Sequence, residues 1–146
     1  MGCFGTMKLF FYGVLMGEVA PPPVRSLLAG IGPGQPATVR GTIYAVTGPG
    51  GAYPVLLPGD DLVHGRMHDA GNVDLAALDR FESVDPVDPL AGEYRREEIT
   101  AVDGEGESHV VQAYLWNGEL DQQNELIPDG DFAVWLMQSG YLPFGQ

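Results

Sequence analysis

Short apolar runs punctuated by glycine and proline dominate this chain, and stretches with helical spacing are few. Lys8 to Tyr12 is an apolar and aromatic run closed by Gly13, which predicts a buried strand entering a turn. Residues 14–17 lead to Pro21-Pro22-Pro23, where three prolines exclude a central strand and favour an extended connector, with at most a short helix over 24–28. Glycines and prolines between 30 and 36 mark another loop. Thr38 to Thr47 has the β-branched and aromatic content of a strand, and a glycine-rich turn follows at 48–51. Tyr53 to Leu57 and Leu62 to Met67 are two further strand candidates, and Pro54 suits the first to an edge or a strand start. Gly41 and Gly65 each interrupt a strand pattern, which signals either a barrel bend or the close approach of a ligand.

Helical spacing returns at Leu75, Leu78 and Phe81, which share an apolar side, with Asp79 and Glu82 on a neighbouring polar track and Asn72 or Asp74 as the cap. Pro86 ends this helix, and the run of acids and prolines at 85–89 reads as a turn or exposed loop. Tyr94 to Val102 and His109 to Trp116 are antiparallel strand candidates joined by a charged hairpin at 103–107. Asp129 or Asp131 caps a last short helix through Ala133, Val134, Leu136 and Met137, with Gly140 at its stop and Tyr141 to Phe144 docking behind it. Five or six short strands and two or three short helices, with no repeated strand–helix unit, predict an α+β fold rather than a doubly wound sheet. Periodicity leaves open whether the sheet closes on itself.

The 146 residues, 45% hydrophobic and 18% charged, fit one compact domain, expected over 7–146 behind a flexible lead at 1–6. A net charge of −13 argues against nucleic acid or an anionic membrane as partner. It leaves room for a small anionic ligand held by backbone N–H groups. The charge is uneven: residues 1–58 carry one acid and three bases, and 59–146 carry nineteen acids and four bases. A single cysteine makes no internal disulfide, and with no secretory pattern and no apolar run of roughly eighteen residues the expected setting is cytoplasmic and off the membrane. Met1 to Thr6 matches the loose myristoylation pattern and reads equally as a disordered lead.

Other chemistry finds little footing. His64 and His68 are four apart in a strand or turn rather than a helix, so they make no metal pair, and Asp85 with Asp88 lacks calcium-loop spacing. Cys3 has no basic neighbour, the serines lack a nucleophile elbow, and the glycines at 30–34 lack the lysine of a phosphate loop. No metal and no cofactor are expected.

Several landmarks in order resemble one family. Tyr12-Gly13-Val14-Leu15 resembles its Tyr-Gly-x-Leu loop after the first strand, Leu78-Asp79 with Phe81-Glu82 its Leu-Asp-x-Phe-Glu helix end, and Tyr94-Arg95-Arg96 its Tyr-x-Arg strand. Gly41, Tyr53-Pro54 and Gly65 fall on its glycine-containing strands, and Gly130-Asp131-Phe132 on its C-terminal Gly-Asp-aromatic segment. The chain is thus similar to the gamma-glutamylcyclotransferase-like family over about residues 7–135, especially to its branch of AIG2-like proteins and gamma-glutamylamine cyclotransferases. The resemblance implies a small mixed β-barrel flanked by short helices, with a cavity bordered by the Tyr-Gly-x-Leu loop. It also implies release of an amine from a gamma-glutamyl compound, the glutamyl part closing to 5-oxoproline.

By the same resemblance Glu82 is the catalytic carboxylate, against the plainer reading of a solvated residue at a helix end. Burial beside Phe81 is expected to raise its proton affinity into the range where it both accepts and returns a proton. Asp79 is a rival carboxylate, or a partner of Arg96. Tyr12, Gly13, Val14 and Leu15 are implied to bind substrate, Tyr12 by shaping the cavity and the loop by its backbone N–H groups. Many relatives carry Ser, Thr or Asn where Val14 stands, so a side-chain hydrogen bond is missing there. Tyr94 either offers its phenol to the substrate or is a core aromatic, and Arg96 either orients Asp79 or forms a plain surface pair, with Arg95 on the opposite side of the strand. The expected partner is a small gamma-glutamyl compound, and the expected state is a monomer or weak homodimer. The alternatives are a non-catalytic module that holds a small carboxylate in the same cavity, and an interaction protein using apolar surface around Trp135 and Tyr141.

Overall fold

A computed structural model describes residues 7–12, 30–32, 34–48, 51–71, 73–118 and 124–140. Along them run β1 (Lys8–Phe11), β2 (Gln35–Gly48), β3 (Gly51–Asp69), α1 (Leu75–Phe81), a turn of 3-10 helix (Pro89–Ala91), β4 (Tyr94–Asp103), β5 (Ser108–Trp116), β6 (Glu125–Leu126) and α2 (Phe132–Ser139). The strands are neighbours in the order β3-β1-β5-β4-β2, and β2 pairs with β3 again, which closes a five-stranded barrel. All seams are antiparallel except β1 with β5, where Leu9 lies opposite Gln112, so the barrel is mixed. The two-residue β6 extends β2 on the outside and has no counterpart in the sequence reading.

β1 explains why an unbroken apolar run was needed. Its residues alternate between two clusters: Phe10 and Tyr12 join Val39, Ile43, Leu56, Val63 and Met67, whereas Leu9 and Phe11 join Val55, Leu78, Tyr94 and Tyr114. A strand buried on both faces has no place for a polar residue.

The two strands expected over 53–57 and 62–67 are one. β3 runs through both because the long β2 supplies a partner along its whole length, from Gln35 opposite Met67 to Gly48 opposite Gly51. The break expected between them survives as a register shift: Gly41 faces Asp61 and Thr42 faces Leu57, so residues 58–60 bulge outward, exposed. Pro58 has no N–H to lose there, and Gly59 lies tight against the Thr42 side chain. At Gly65 the close approach comes from the chain's own β1. A Cβ at that position would meet the Phe11 carbonyl and lie 2.6 Å from Phe10 Cζ.

Asp74 caps α1 by accepting from Ala77 N at 3.1 Å, and Asp131 caps α2 through Val134 N at 3.2 Å. Gly140, at φ 80°, ends α2 as expected. One expectation about α1 fails: Leu78 is fully buried but Phe81 is 42% exposed, because the helix closes within two turns and its last residue rotates away from the barrel. The lead at 1–6, the connector helix at 24–28 and the docking segment Tyr141 to Phe144 lie outside the described residues. No helix among the described residues is long and apolar enough to cross a membrane.

Candidate functional site

The end of α1 is built to present one side chain. Glu82 N closes the helix on Leu78 O at 3.0 Å, and the next residue, Ser83, takes a left-handed conformation at φ 55°. That reversal is held from both sides, by Val84 N on Asp79 O at 2.9 Å and by Glu93 N on Ser83 O at 3.0 Å. Gly92 is required at this clamp, since a Cβ would run into the Ser83 carbonyl and lie 2.8 Å from Asp85 N.

Glu82 keeps part of its surface accessible while its carboxyl is enclosed. Burial, joined by the negative charges of Glu93 and Asp79, pushes its pKa up to about 8. Phe81 is 42% exposed, whereas three buried tyrosines lie close enough to feel the Glu82 charge. Charge on Glu82 raises the phenols of Tyr12 from the end of β1, Tyr94 from β4 and Tyr114 from β5, each of which burial has already raised. Each phenol gives its proton elsewhere. Tyr12 donates to the Tyr114 carbonyl, Tyr94 to the Pro54 carbonyl at 2.8 Å, and Tyr114 to Asp79 Oδ1 at 2.8 Å. Among the described residues none donates to the Glu82 carboxyl, and the charges that act on it are those of Glu93 and Asp79.

Asp79, one turn earlier, is in the opposite condition. Arg96 grips it with Nε on Oδ1 at 3.0 Å and Nη2 on Oδ2 at 3.3 Å, and reaches Gln112 Oε1 with Nη1 at 3.1 Å. Arg95 faces away, to Glu97 Oε2 at 2.9 Å and Asn117 Oδ1 at 2.7 Å. The two neighbouring arginines divide by strand alternation, and only Arg96 turns toward α1.

A closed mixed barrel with this helix end and its tyrosines is now in place, and the family model described as gamma-glutamyl cyclotransferase, AIG2-like matches residues 9–135. The chain belongs to that family. Solved structures repeat the fold of this AIG2-like chain. YkqA from Bacillus subtilis aligns at a TM-score of 0.67 with 19% identity over 92% of this chain, which spans only 42% of YkqA. An AIG2-like protein from Mus musculus aligns at 0.61 with 20% identity, covering 81% of this chain and 82% of that one. Protein ytfP from Escherichia coli aligns at 0.57 with 24% identity, covering 91% and 99%. No curated protein in the comparison matches.

Of the residues singled out by the family resemblance, Tyr12, Asp79, Glu82, Tyr94 and Arg96 are gathered around the end of α1, while Gly13, Val14 and Leu15 lie outside the described residues. Tyr94 is buried as a core aromatic, edge-on to Trp116 at 5.2 Å. Tyr114 and Glu93 were missed. Tyr114 carried a signal that went unused: it lies directly opposite Arg96 in the β4–β5 ladder.

Two other places gather polar side chains. Asp103, Glu107 and His109 bring ligand atoms within 4.8 Å of one another, the one such group among the described residues. Asp103 there accepts from Glu105 N, Glu107 N and the His109 ring, the pattern of a stitched hairpin. His68 instead sets Nδ1 2.8 Å from Gly32 O and lies against Phe11. A cavity of about 520 Å³ beside α2, lined by Thr38, His64, Arg66, Asp131 and Met137 among others, borders neither Glu82 nor its tyrosines.

Proposed function

We infer that the protein is a cyclotransferase that converts a gamma-glutamyl amine, or a related gamma-glutamyl amide, into 5-oxoproline and the free amine. The observation carrying this reading is Glu82: a buried carboxyl at a clamped helix end, coupled to three buried tyrosines, with its pKa at about 8 and no cation among the described residues acting to lower it. Ring closure within one molecule needs no protein nucleophile, only a folded substrate whose amino nitrogen is held against its own γ-carbonyl carbon. The new carbon–nitrogen bond forms as Glu82 takes a proton from the attacking nitrogen. Glu82 then gives that proton to the leaving nitrogen as the old carbon–nitrogen bond breaks. An α-amino group ionises near ~8, so donor and acceptor are matched and the proton moves both ways with little cost.

Tyr12, Tyr94 and the loop Gly13-Val14-Leu15 belong to this reading as the walls of the binding site, and Asp79 with Arg96 as its support. A small-molecule substrate, no metal or cofactor, a cytoplasmic setting and a monomer or weak homodimer complete it. Incubation with a panel of gamma-glutamyl amines and dipeptides is expected to release 5-oxoproline, measured by chromatography. Glu82→Gln is expected to bind the same compounds and lose turnover by at least roughly a hundredfold. Full turnover in that variant overturns the assignment, and binding with no turnover by the wild-type chain supports the non-catalytic module instead.

A further inference from the structure

Tyr114 touches both sides of the candidate site at once. Its backbone carbonyl receives the hydroxyl of Tyr12, the last described residue before the Gly13 loop, and its own hydroxyl donates to Asp79 Oδ1 at 2.8 Å. Arg96 lies opposite it in the ladder and donates to the same Asp79 oxygen at 3.0 Å. The Asp79 carbonyl in turn holds Val84 N, so one residue of α1 fixes both the barrel side and the reversal after Glu82. Tyr12 at the end of β1, β5 and α1 are thereby tied through one residue.

We propose that Tyr114 is a positioning residue: it braces Asp79 from β5 so that the turn bearing Glu82 is held at a fixed distance from Tyr12. The proposal rests on the cyclotransferase reading for its kinetic consequence but not for its structural one. Small displacements in a ring closure that depends on near-contact of the reacting atoms reduce the rate far more than the affinity. Phe lacks the hydroxyl but keeps the carbonyl that receives Tyr12, so Tyr114→Phe cuts the brace at one bond.

The groups facing Glu82 are Asp79 on its own helix, Glu93 on the adjoining loop, Tyr12 on β1, Tyr94 on β4 and Tyr114 on β5, with Arg96 neutralising Asp79. Asp79→Asn removes a charge from this set and the Oδ2 acceptor for Arg96 Nη2, yet keeps an oxygen for both the Tyr114 hydroxyl and Arg96 Nε. Asp79→Ala removes charge and acceptor together. The two variants separate position from charge.

The experiment is residue-resolved amide exchange on the full chain together with initial rates on whichever gamma-glutamyl compound the wild-type chain turns over. Tyr114→Phe is expected to speed exchange at Glu82, Ser83 and Val84 by about tenfold with α2 unchanged, and to lower kcat by about tenfold with KM within about threefold. Asp79→Ala is expected to match it. Asp79→Asn is expected to keep wild-type exchange while the midpoint of its pH–rate profile moves to lower pH. Unchanged exchange in Tyr114→Phe, or equal loosening in Asp79→Asn and Asp79→Ala, overturns the brace. Should Tyr114→Phe fail to fold, the Asp79 pair reads the same bond. If the wild-type chain releases no 5-oxoproline from any compound, the functional reading falls and exchange alone decides the brace.

Discussion

Glu82 holds a proton that an ordinary surface glutamate has given up. Burial is the main cause and the neighbouring acids add to it, so the folded protein keeps this proton up to about pH 8 while the unfolded chain releases it near ~4.3. Its contribution to stability is therefore fully present below the unfolded value and is lost as pH rises through the folded one. Glu82→Gln is expected to melt at the same temperature as the wild-type chain at pH 4 and several degrees higher at pH 9, as calorimetry or circular dichroism will register. The base form rises over the same window, so the turnover of the wild-type chain is expected to climb with pH to a midpoint near 8. Equal melting of the two proteins at pH 9 refutes the burial. At this scale the sequence located the carboxyl, through a helix-end motif, but misjudged its surroundings. Burial was expected beside Phe81, and Phe81, the last residue of a seven-residue helix, is 42% exposed.

Elements were legible wherever a local rule decided them. The caps at Asp74 and Asp131, the stop at Gly140 and the β4–β5 hairpin follow from short-range chemistry. The merging of two expected strands into β3 does not, because Pro58 and Gly59 look like a stop in isolation and become a bulge only when β2 continues alongside. The hairpin held more than was drawn from it. Once Val102 is set opposite Ser108, Arg96 must face Tyr114, and the network around Asp79 follows from register alone. Tight seams are the price of closing so small a barrel. Gly65→Ala drives a methyl into the Phe11 carbonyl and is expected to destabilise the protein by about 1–3 kcal/mol in urea unfolding. Gly104→Ala has no neighbour within 4 Å and is expected to fall within about 0.5 kcal/mol of wild type. A Gly65→Ala protein as stable as Gly104→Ala would show that β1 is not seated as described.

Over the whole molecule, the charge of −13 acts on any ligand before contact. A gamma-glutamyl dipeptide carries one more negative charge than a gamma-glutamyl alkylamine, which is neutral overall near pH 7. Raising ionic strength from about 0.01 to 0.15 M shortens the Debye length from about 30 to 8 Å, so kcat/KM for the dipeptide is expected to rise relative to that for the alkylamine. Initial rates across a salt series decide it, and identical salt responses count against electrostatic discrimination between the two. The family was legible from spaced motifs spread over nearly the whole chain, and the closed barrel came with it; periodicity alone left closure open, because closure depends on pairings between residues far apart in sequence, the parallel seam among them.

That seam also sets when the ring can close. β1 is made before β5, the strand it lies beside in parallel, by about a hundred residues. Until then Tyr12 has no carbonyl to bind and Asp79 no phenol. A nascent chain halted between Asp69 and Tyr114 can form the β2–β3 hairpin but holds an unfinished ring, with the bonds from Tyr12 to Tyr114 and from Tyr114 to Asp79 still unmade.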